Sequence, residues 1–183
     1  MLLTIDRFDP EHWLVAQVAR TLQAGGVVVI PTDTVYGVVC DIECDAAAER
    51  IYRLKGMDSK KLLSILCSDL AMAAQYTRGI PNTLFRVVRR KLPGPYTFIM
   101  PASKELPRIM RKHRKTVGIR VPDCPFTLEL IAQFQRPLLT TPMARSRRVT
   151  LGWVRTRSSR TSSTALPVVS FAWTTRRREW PPS

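Results

Sequence analysis

The chain has 183 residues, of which 45% are apolar, and a formal net charge of +15. That length and composition suit one α/β domain with a real core and exclude a disordered chain, and no run approaches the ~18 uninterrupted apolar residues of a membrane span. Asp6, Asp9 and Glu11 occupy the start, where a secretory leader needs a basic stretch and then an apolar one, so a cytoplasmic location is expected.

Residues 11–24, EHWLVAQVARTLQA, set Trp13, Leu14, Val18 and Leu22 at three- and four-residue steps, the spacing of an amphipathic helix. Asp9 is the expected N-cap, Pro10 the first helical residue, and Gly25-Gly26 the stop. Val27 to Ile30 predict a buried strand, broken at once by Pro31-Thr32-Asp33-Thr34. DAAAERIYRLKG predicts a second helix, capped by Asp45 and ending near Gly56. KLLSILC is an expected strand, DLAMAAQYT a short helix, and PNTLFRVVRRK a helix starting at or just after Pro81. YTFIM predicts a strand, ELPRIMRK a turn or two of helix, and TVGIRVP an alternating strand. PFTLELIAQF is a helix with Pro125 near its first turn, and RPLLTT opens a further strand. Helices and strands interleave without a GxGxxG or GxxxxGK[ST] loop, so a twisted mixed sheet with packed helices is expected rather than a Rossmann or P-loop fold.

The basic charge is unevenly spread. Residues 1–144 carry 20 Lys and Arg against 13 Asp and Glu, whereas residues 145–183 carry nine Arg, one acid and no Lys. That last stretch also holds 13 Ser and Thr and three of the four tryptophans. Two readings account for it: a natural arm in which RRRE, Trp173 and Trp180 contact phosphate and bases, or GC-rich coding sequence translated out of frame. Under the second reading the net charge says nothing about partners.

Several residues carry chemistry-bearing potential. Thr32, Asp33 and Thr34 follow a buried strand, where hydroxyls and backbone N–H groups converge on a ligand, or where they cap their own turn. Gly94, in KLPGPYTFIM, either permits close approach of a ligand or serves only the turn. Lys55 ends the second helix, with Lys60 and Lys61 just beyond, as an anion site or as solvated caps. Arg120 interrupts the alternating strand VGIRV, and an inward guanidinium there needs an anionic partner. The clusters at 86–91 and 108–115 suit either a polynucleotide or solvent. Cys40, Cys44, Cys67 and Cys124 lack zinc-site spacing, so no metal site is expected, and His12 and His113 have no nearby nucleophile in the sequence.

Taken in order, GGVVVIPTDTVYGVVCD, ERIYRLKG, LPGPYTFIM, KTVGIRVPDCP and RPLLTT resemble the YrdC-like (threonylcarbamoyl-AMP synthase) family, and YTFIMPASKELPRIMRKHRKTVGIRVP is most similar to its YciO branch. The resemblance covers roughly residues 10–144 and implies a single YrdC-like α/β domain around a basic cleft. It implies an L-threonylcarbamoyladenylate synthase-like nucleotidyltransferase, making threonylcarbamoyl-AMP and diphosphate from L-threonine, bicarbonate and ATP for the t6A37 modification of transfer RNA. ATP is then a substrate, and Mg2+ is expected with it. By resemblance Lys55 and Arg120 are catalytic, Thr32, Thr34, Tyr36 and Thr97 bind threonine, and Lys55, Lys60, Lys61 and Arg120 bind the nucleotide. Met57 stands where active members carry the arginine of Lys-x-Arg, and Pro142 and Ala144 stand where they carry Ser-x-Asn. The alternative implied is a non-catalytic, YciO-like protein that binds double-stranded RNA or transfer RNA. The family's continuation has no counterpart beyond Ala144, where the composition also changes, and one change of reading frame explains both. The expected layout is a YrdC-like domain over 1–144, truncated at its C-terminal side, followed by an Arg/Ser/Thr-rich tail over 145–183.

Overall fold

β-branched and leucine runs build the sheet, and the alternation of their side chains decides what covers each face. A computed structural model describes residues 2–3, 5–6, 8–58, 61, 63–111, 115–143 and 168–171. The strands are β1 (Leu2–Leu3), β2 (Val27–Ile30), β3 (Gly37–Asp41), β4 (Ser64–Leu66), β5 (Phe98–Pro101), β6 (Thr116–Arg120), β7 (Leu138–Pro142) and β8 (Val168–Phe171). They form one mixed sheet in the order β1-β8-β2-β3-β7-β4-β6-β5. β8 runs parallel to both β1 and β2, and β4 runs parallel to β6, while the remaining neighbours are antiparallel. The helices are α1 (His12–Gln23), α2 (Asp45–Lys55), α3 (Leu70–Gln75), α4 (Asn82–Lys91), α5 (Arg108–Arg111) and α6 (Pro125–Phe134).

Each strand residue goes to one face or the other. Val27, Val29, Val38, Cys40, Ile65, Val117, Ile119 and Leu139 join a cluster under α2 to α5, with Ala48, Ile51, Ala73, Val88 and Met110 from those helices. Val28, Ile30, Val39, Leu66 and Leu138 point the other way, against Leu14, Val18 and Leu22 of α1 and Phe126, Leu130 and Ile131 of α6. Each fully buried Val, Leu, Ile, Phe or Met side chain among them contributes about 1.5–3 kcal/mol relative to exposure. No side chain of β5 or β6 enters this second cluster among the described residues. Among the described residues the α1/α6 cover therefore lies over β2, β3, β7 and Leu66 of β4 and does not extend to β5.

Several boundaries differ from expectation. α1 starts at His12 after Glu11, two residues later than the Asp9-Pro10 cap predicted, and Glu11 makes no side-chain cap bond. α2 has Cys44 as its N-cap residue, with Asp45 already helical, and stops at a left-handed Gly56. β5 begins at Phe98, so Tyr96 and Thr97 precede it. β3, β1 and β8 were not expected from the sequence. Lys60 and Ala144 lie outside the described residues, as do residues 112–114 and, except for β8, the stretch 145–183. No helix among the described residues is long and apolar enough to cross a membrane.

Candidate functional site

One row of cross-strand neighbours changes character as it crosses the sheet. Val28 pairs Val39, Val39 pairs Thr140, Thr140 pairs Ser64, Ser64 pairs Gly118, and Gly118 pairs Ile99. The two valines lie beneath α1 and α6, whereas Ile99 is 72% exposed. Between them Thr140, Ser64 and Gly118 make a floor of small and polar groups where the helical cover ends. The glycine is required here. A Cβ on Gly118 would stand 2.7 Å from Ser64 Oγ and 3.2 Å from Thr97 Cγ2. Gly37 extends the floor, because a Cβ there would stand 3.0 Å from Thr140 Oγ1 and 3.6 Å from Thr32 Cγ2.

The segment between β2 and β3 closes over this floor. α6 clasps its start: Thr127 Oγ1 donates to the Pro31 carbonyl at 2.7 Å, and Cys124 Sγ lies 3.9 Å from the same oxygen. Thr32 then spends its hydroxyl inside the turn, donating to Val35 O at 2.6 Å and accepting from Thr34 N at 3.2 Å. That is the local capping role of a Thr in such a turn. It leaves Asp33 and Thr34 to face Arg120, which arrives from the end of β6. Arg120 Nη2 donates to Asp33 Oδ1 at 2.6 Å and to Thr34 Oγ1 at 2.9 Å. The ion pair is sheltered, the Arg120 side chain being 15% exposed and that of Asp33 10%. Among the described residues it is engaged by one prong only: Arg120 Nε and Asp33 Oδ2 are both buried, and neither has a hydrogen-bond partner there.

The other expected site residues are distributed more widely. Thr97 is exposed and borders the floor at Gly118. Lys55, the last residue of α2, donates from Nζ to the Pro142 carbonyl at 2.8 Å. The backbone of Arg120 shares its register level with Leu138, and its guanidinium reaches from there to the β2–β3 loop. Lys61 is exposed, and its carbonyl accepts from the Tyr52 hydroxyl at 2.8 Å. Tyr36 packs against the α2–α5 cluster, on the far face from Arg120, and its carbonyl accepts from Met143 N. Met57 also packs against that cluster, with its sulfur 3.8 Å from Thr141 Oγ1. Gly94 serves its turn: its N–H donates to Val121 O at 2.9 Å, and a Cβ would meet the Lys91 carbonyl at 2.8 Å.

Ser64, Gly118 and Thr140 did not stand out in the sequence as site residues. A glycine inside an alternating strand was the available signal, since it marks close approach of another group. Of the basic clusters, Arg86, Arg89, Arg90 and Lys91 are exposed on α4, while Arg108 and Arg111 share an open groove with Asp45 and Glu49. Among the described residues no three of His, Cys, Asp and Glu converge as metal ligands, and all four cysteines are free.

Comparison with known proteins supplies names for this arrangement. A Sua5/YciO/YrdC family model, described as "Telomere recombination", matches residues 20–160. Over 136 residues the chain is 35% identical to the uncharacterized protein YciO of Escherichia coli (strain K12), covering 74% of this chain and 66% of YciO. The crystal structure of E. coli YciO aligns with a TM-score of 0.73 and 34% identity, over 77% of this chain and 68% of that chain. Threonylcarbamoyl-AMP synthase of Homo sapiens is 40% identical over 121 residues, 66% of this chain and 42% of the human protein. P. abyssi Sua5, solved in complex with L-threonine, aligns with a TM-score of 0.72 and 28% identity, over 77% of this chain and 41% of that chain. The chain thus spans about two thirds of the length of YciO and less than half of the human synthase.

Proposed function

The chain belongs to the Sua5/YciO/YrdC family, and we propose that it is an L-threonylcarbamoyladenylate synthase-like nucleotidyltransferase that takes ATP, L-threonine and bicarbonate. The observation that carries this reading is the sheltered, one-pronged Arg120–Asp33 pair over a floor of Gly118, Ser64 and Thr140. Such a site suits a small polar molecule, and the similar P. abyssi Sua5 holds L-threonine.

In the proposed reaction the threonine amine attacks the carbon of bicarbonate, and loss of water leaves a carbamate. A carbamate oxygen then attacks the α-phosphorus of ATP. The bond from that phosphorus to the bridging oxygen breaks, and diphosphate leaves with the electron pair. Little covalent work falls to the protein, so positioning and charge stabilisation dominate. Arg120 holds the threonine carboxylate, with Thr34 and Thr97 beside it. Lys55 exchanges the neutral Pro142 carbonyl for a phosphate oxygen, a stronger charge-assisted bond. Lys60 and Lys61 supply further positive charge to the phosphates. Among the described residues no second carboxylate stands beside Asp33 Oδ2 to complete a metal cage. Magnesium accordingly enters on the triphosphate, as part of the nucleotide substrate. The product would serve the threonylcarbamoyl modification of transfer RNA in the cytoplasm.

The test is mass-spectrometric detection of threonylcarbamoyl-AMP in mixtures of the chain, MgATP, threonine and bicarbonate. Product is expected from the wild type, with at least about a hundredfold less from Arg120→Ala, in line with removal of a preorganised charge from an active site. Absence of product from folded wild-type chain contradicts the reading. A second reading, RNA binding without catalysis, rests on the four exposed cations at 86, 89, 90 and 91 of α4. It requires RNA retention that falls with added salt and is lost in Arg89→Glu/Arg90→Glu.

A further inference from the structure

We propose that the groove between α2 and α5 is a self-association surface, onto which a second copy of this chain lays its own α2–α5 groove so that the arginines of each copy meet the acids of the other.

The groove has a volume of about 680 Å³ and is lined by Asp45 and Glu49 of α2 and by Arg108, Ile109 and Arg111 of α5. Asp45 and Glu49 stand four residues apart on their helix, and Arg108 and Arg111 three apart on theirs, so each pair is spaced by roughly 5–6 Å between Cβ atoms. All four charged residues are exposed, and none of them is in an ion pair among the described residues. The two walls oppose each other in sign without neutralising each other. An occupant that answers both must set acids beside the arginines and bases beside the carboxylates, at the same spacing. The groove itself carries that pattern. A two-fold axis running along it turns one copy over, so that its acidic wall covers the partner's arginines and its arginines cover the partner's acids. An axis across the groove would set like charge on like, so the charges specify the orientation as well as the partner. Ile109, half-buried, adds an apolar contact. Both helices pack on the face of the sheet opposite the Arg120 cleft, so the pairing leaves that cleft uncovered. The net charge of +15 opposes association. At physiological salt, however, that repulsion is screened beyond a Debye length of about 8 Å, whereas the facing walls act within it. Exposed ion pairs are individually weak, so the dimer is a reversible one.

Sedimentation velocity of the full chain at physiological salt, from about 1 to about 100 µM, tests this. Wild-type chain is expected to become increasingly dimeric over that range. Asp45→Arg/Glu49→Arg makes the groove wholly basic, and Arg108→Glu/Arg111→Glu makes it wholly acidic. Each double variant alone is expected to self-associate at least about tenfold more weakly than wild type. Mixed in equal amounts, the two are expected to form a heterodimer at least as tight as the wild-type dimer, because every facing pair is again opposite in sign. Glu49→Arg alone, which leaves the start of α2 intact, is expected to weaken the dimer about tenfold, so the claim remains testable if a double variant unfolds. Wild-type chain that stays monomeric at about 100 µM overturns the proposal. So do folded variants that dimerise as wild type does, or a mixture no more associated than its two components.

Discussion

Gly118 shows how narrowly the floor is built. An added Cβ meets the Ser64 hydroxyl at 2.7 Å and the Thr97 methyl at 3.2 Å, with Ser64 Cβ itself at 3.4 Å. Gly118→Ala is expected to cost about 1–3 kcal/mol of stability, the range of core overpacking, and to weaken threonine binding further by pushing Ser64 and Thr97 into the cleft. Adding Ser64→Ala removes the nearest atom and should recover part of the stability in urea unfolding. A double variant no more stable than Gly118→Ala would show that Ser64 is not the obstacle. At this scale the sequence was legible where one residue broke a pattern. Arg120 stood out because a cation inside an alternating strand demands a partner, and the partner proved to be Asp33 with Thr34. Which side chain would answer was hidden, because 87 residues separate the two and no local rule spans that distance. Tyr36 shows how strand alternation sorts neighbours. It sits beside the right glycine, but strand alternation sends Gly37 to the cleft face and its neighbour to the core.

Loops here are held by helix ends, and two such fastenings make separate predictions. Thr127, in the first turn of α6, is fully buried and donates to Pro31 O, which anchors the segment carrying Asp33. Thr127→Val keeps the shape but strips the carbonyl of that donor, leaving only the weak thiol of Cys124. A loss of about 1–3 kcal/mol is expected, with Thr127→Ser closer to wild type. A Thr127→Val chain within about 0.5 kcal/mol of wild type would remove the anchoring role. Asp69 caps α3 by accepting from Met72 N at 2.8 Å. That bond, with help from the Ser68 hydroxyl, holds its carboxyl below the usual carboxylate range. The folded state therefore favours the ionised form, and the stabilisation is present above the ordinary carboxylate pKa and fades as pH falls through the lowered folded value. Asp69→Ala should cost about 1 kcal/mol at neutral pH, and thermal melts should show that gap shrinking as pH falls below the ordinary Asp pKa of about 3.9. A gap that stays constant would rule out the ionised cap. The helices were the most readable elements: α6 spans the residues its apolar spacing predicted, with Pro125 first. β3 was missed because VVCD follows so closely on the TDT turn that the two apolar runs read as one strand and its exit.

Across the whole molecule, the sheet separates a closed side from a partly open one. Four helices seal the first face, but α1 and α6 cover only part of the second. The far end of β3 is fastened independently, where Arg136 pairs with both Asp41 and Glu43 and stacks on the Phe134 ring at 4.9 Å. Burial pushes the Asp41 carboxyl up, against the pull of Arg136. The α/β class and most elements followed from periodicity, because each helix and strand carries its own apolar spacing. The site did not, because its floor is assembled from β3, β7, β4 and β6, whose adjacency is a property of strand order and not of any segment. Family resemblance pointed to Lys55 and Arg120; Arg120 bonds Asp33 and Thr34, and Lys55 donates to the Pro142 carbonyl.

The most direct measurement of the central claim is the rate of diphosphate release from MgATP by purified full-length chain, with threonine and bicarbonate each omitted in turn. Release that requires both co-substrates, and that falls at least about a hundredfold in Arg120→Ala, is the result this account predicts. Release that ignores threonine, or none from chain shown to be folded by its circular dichroism and cooperative melting, would contradict it.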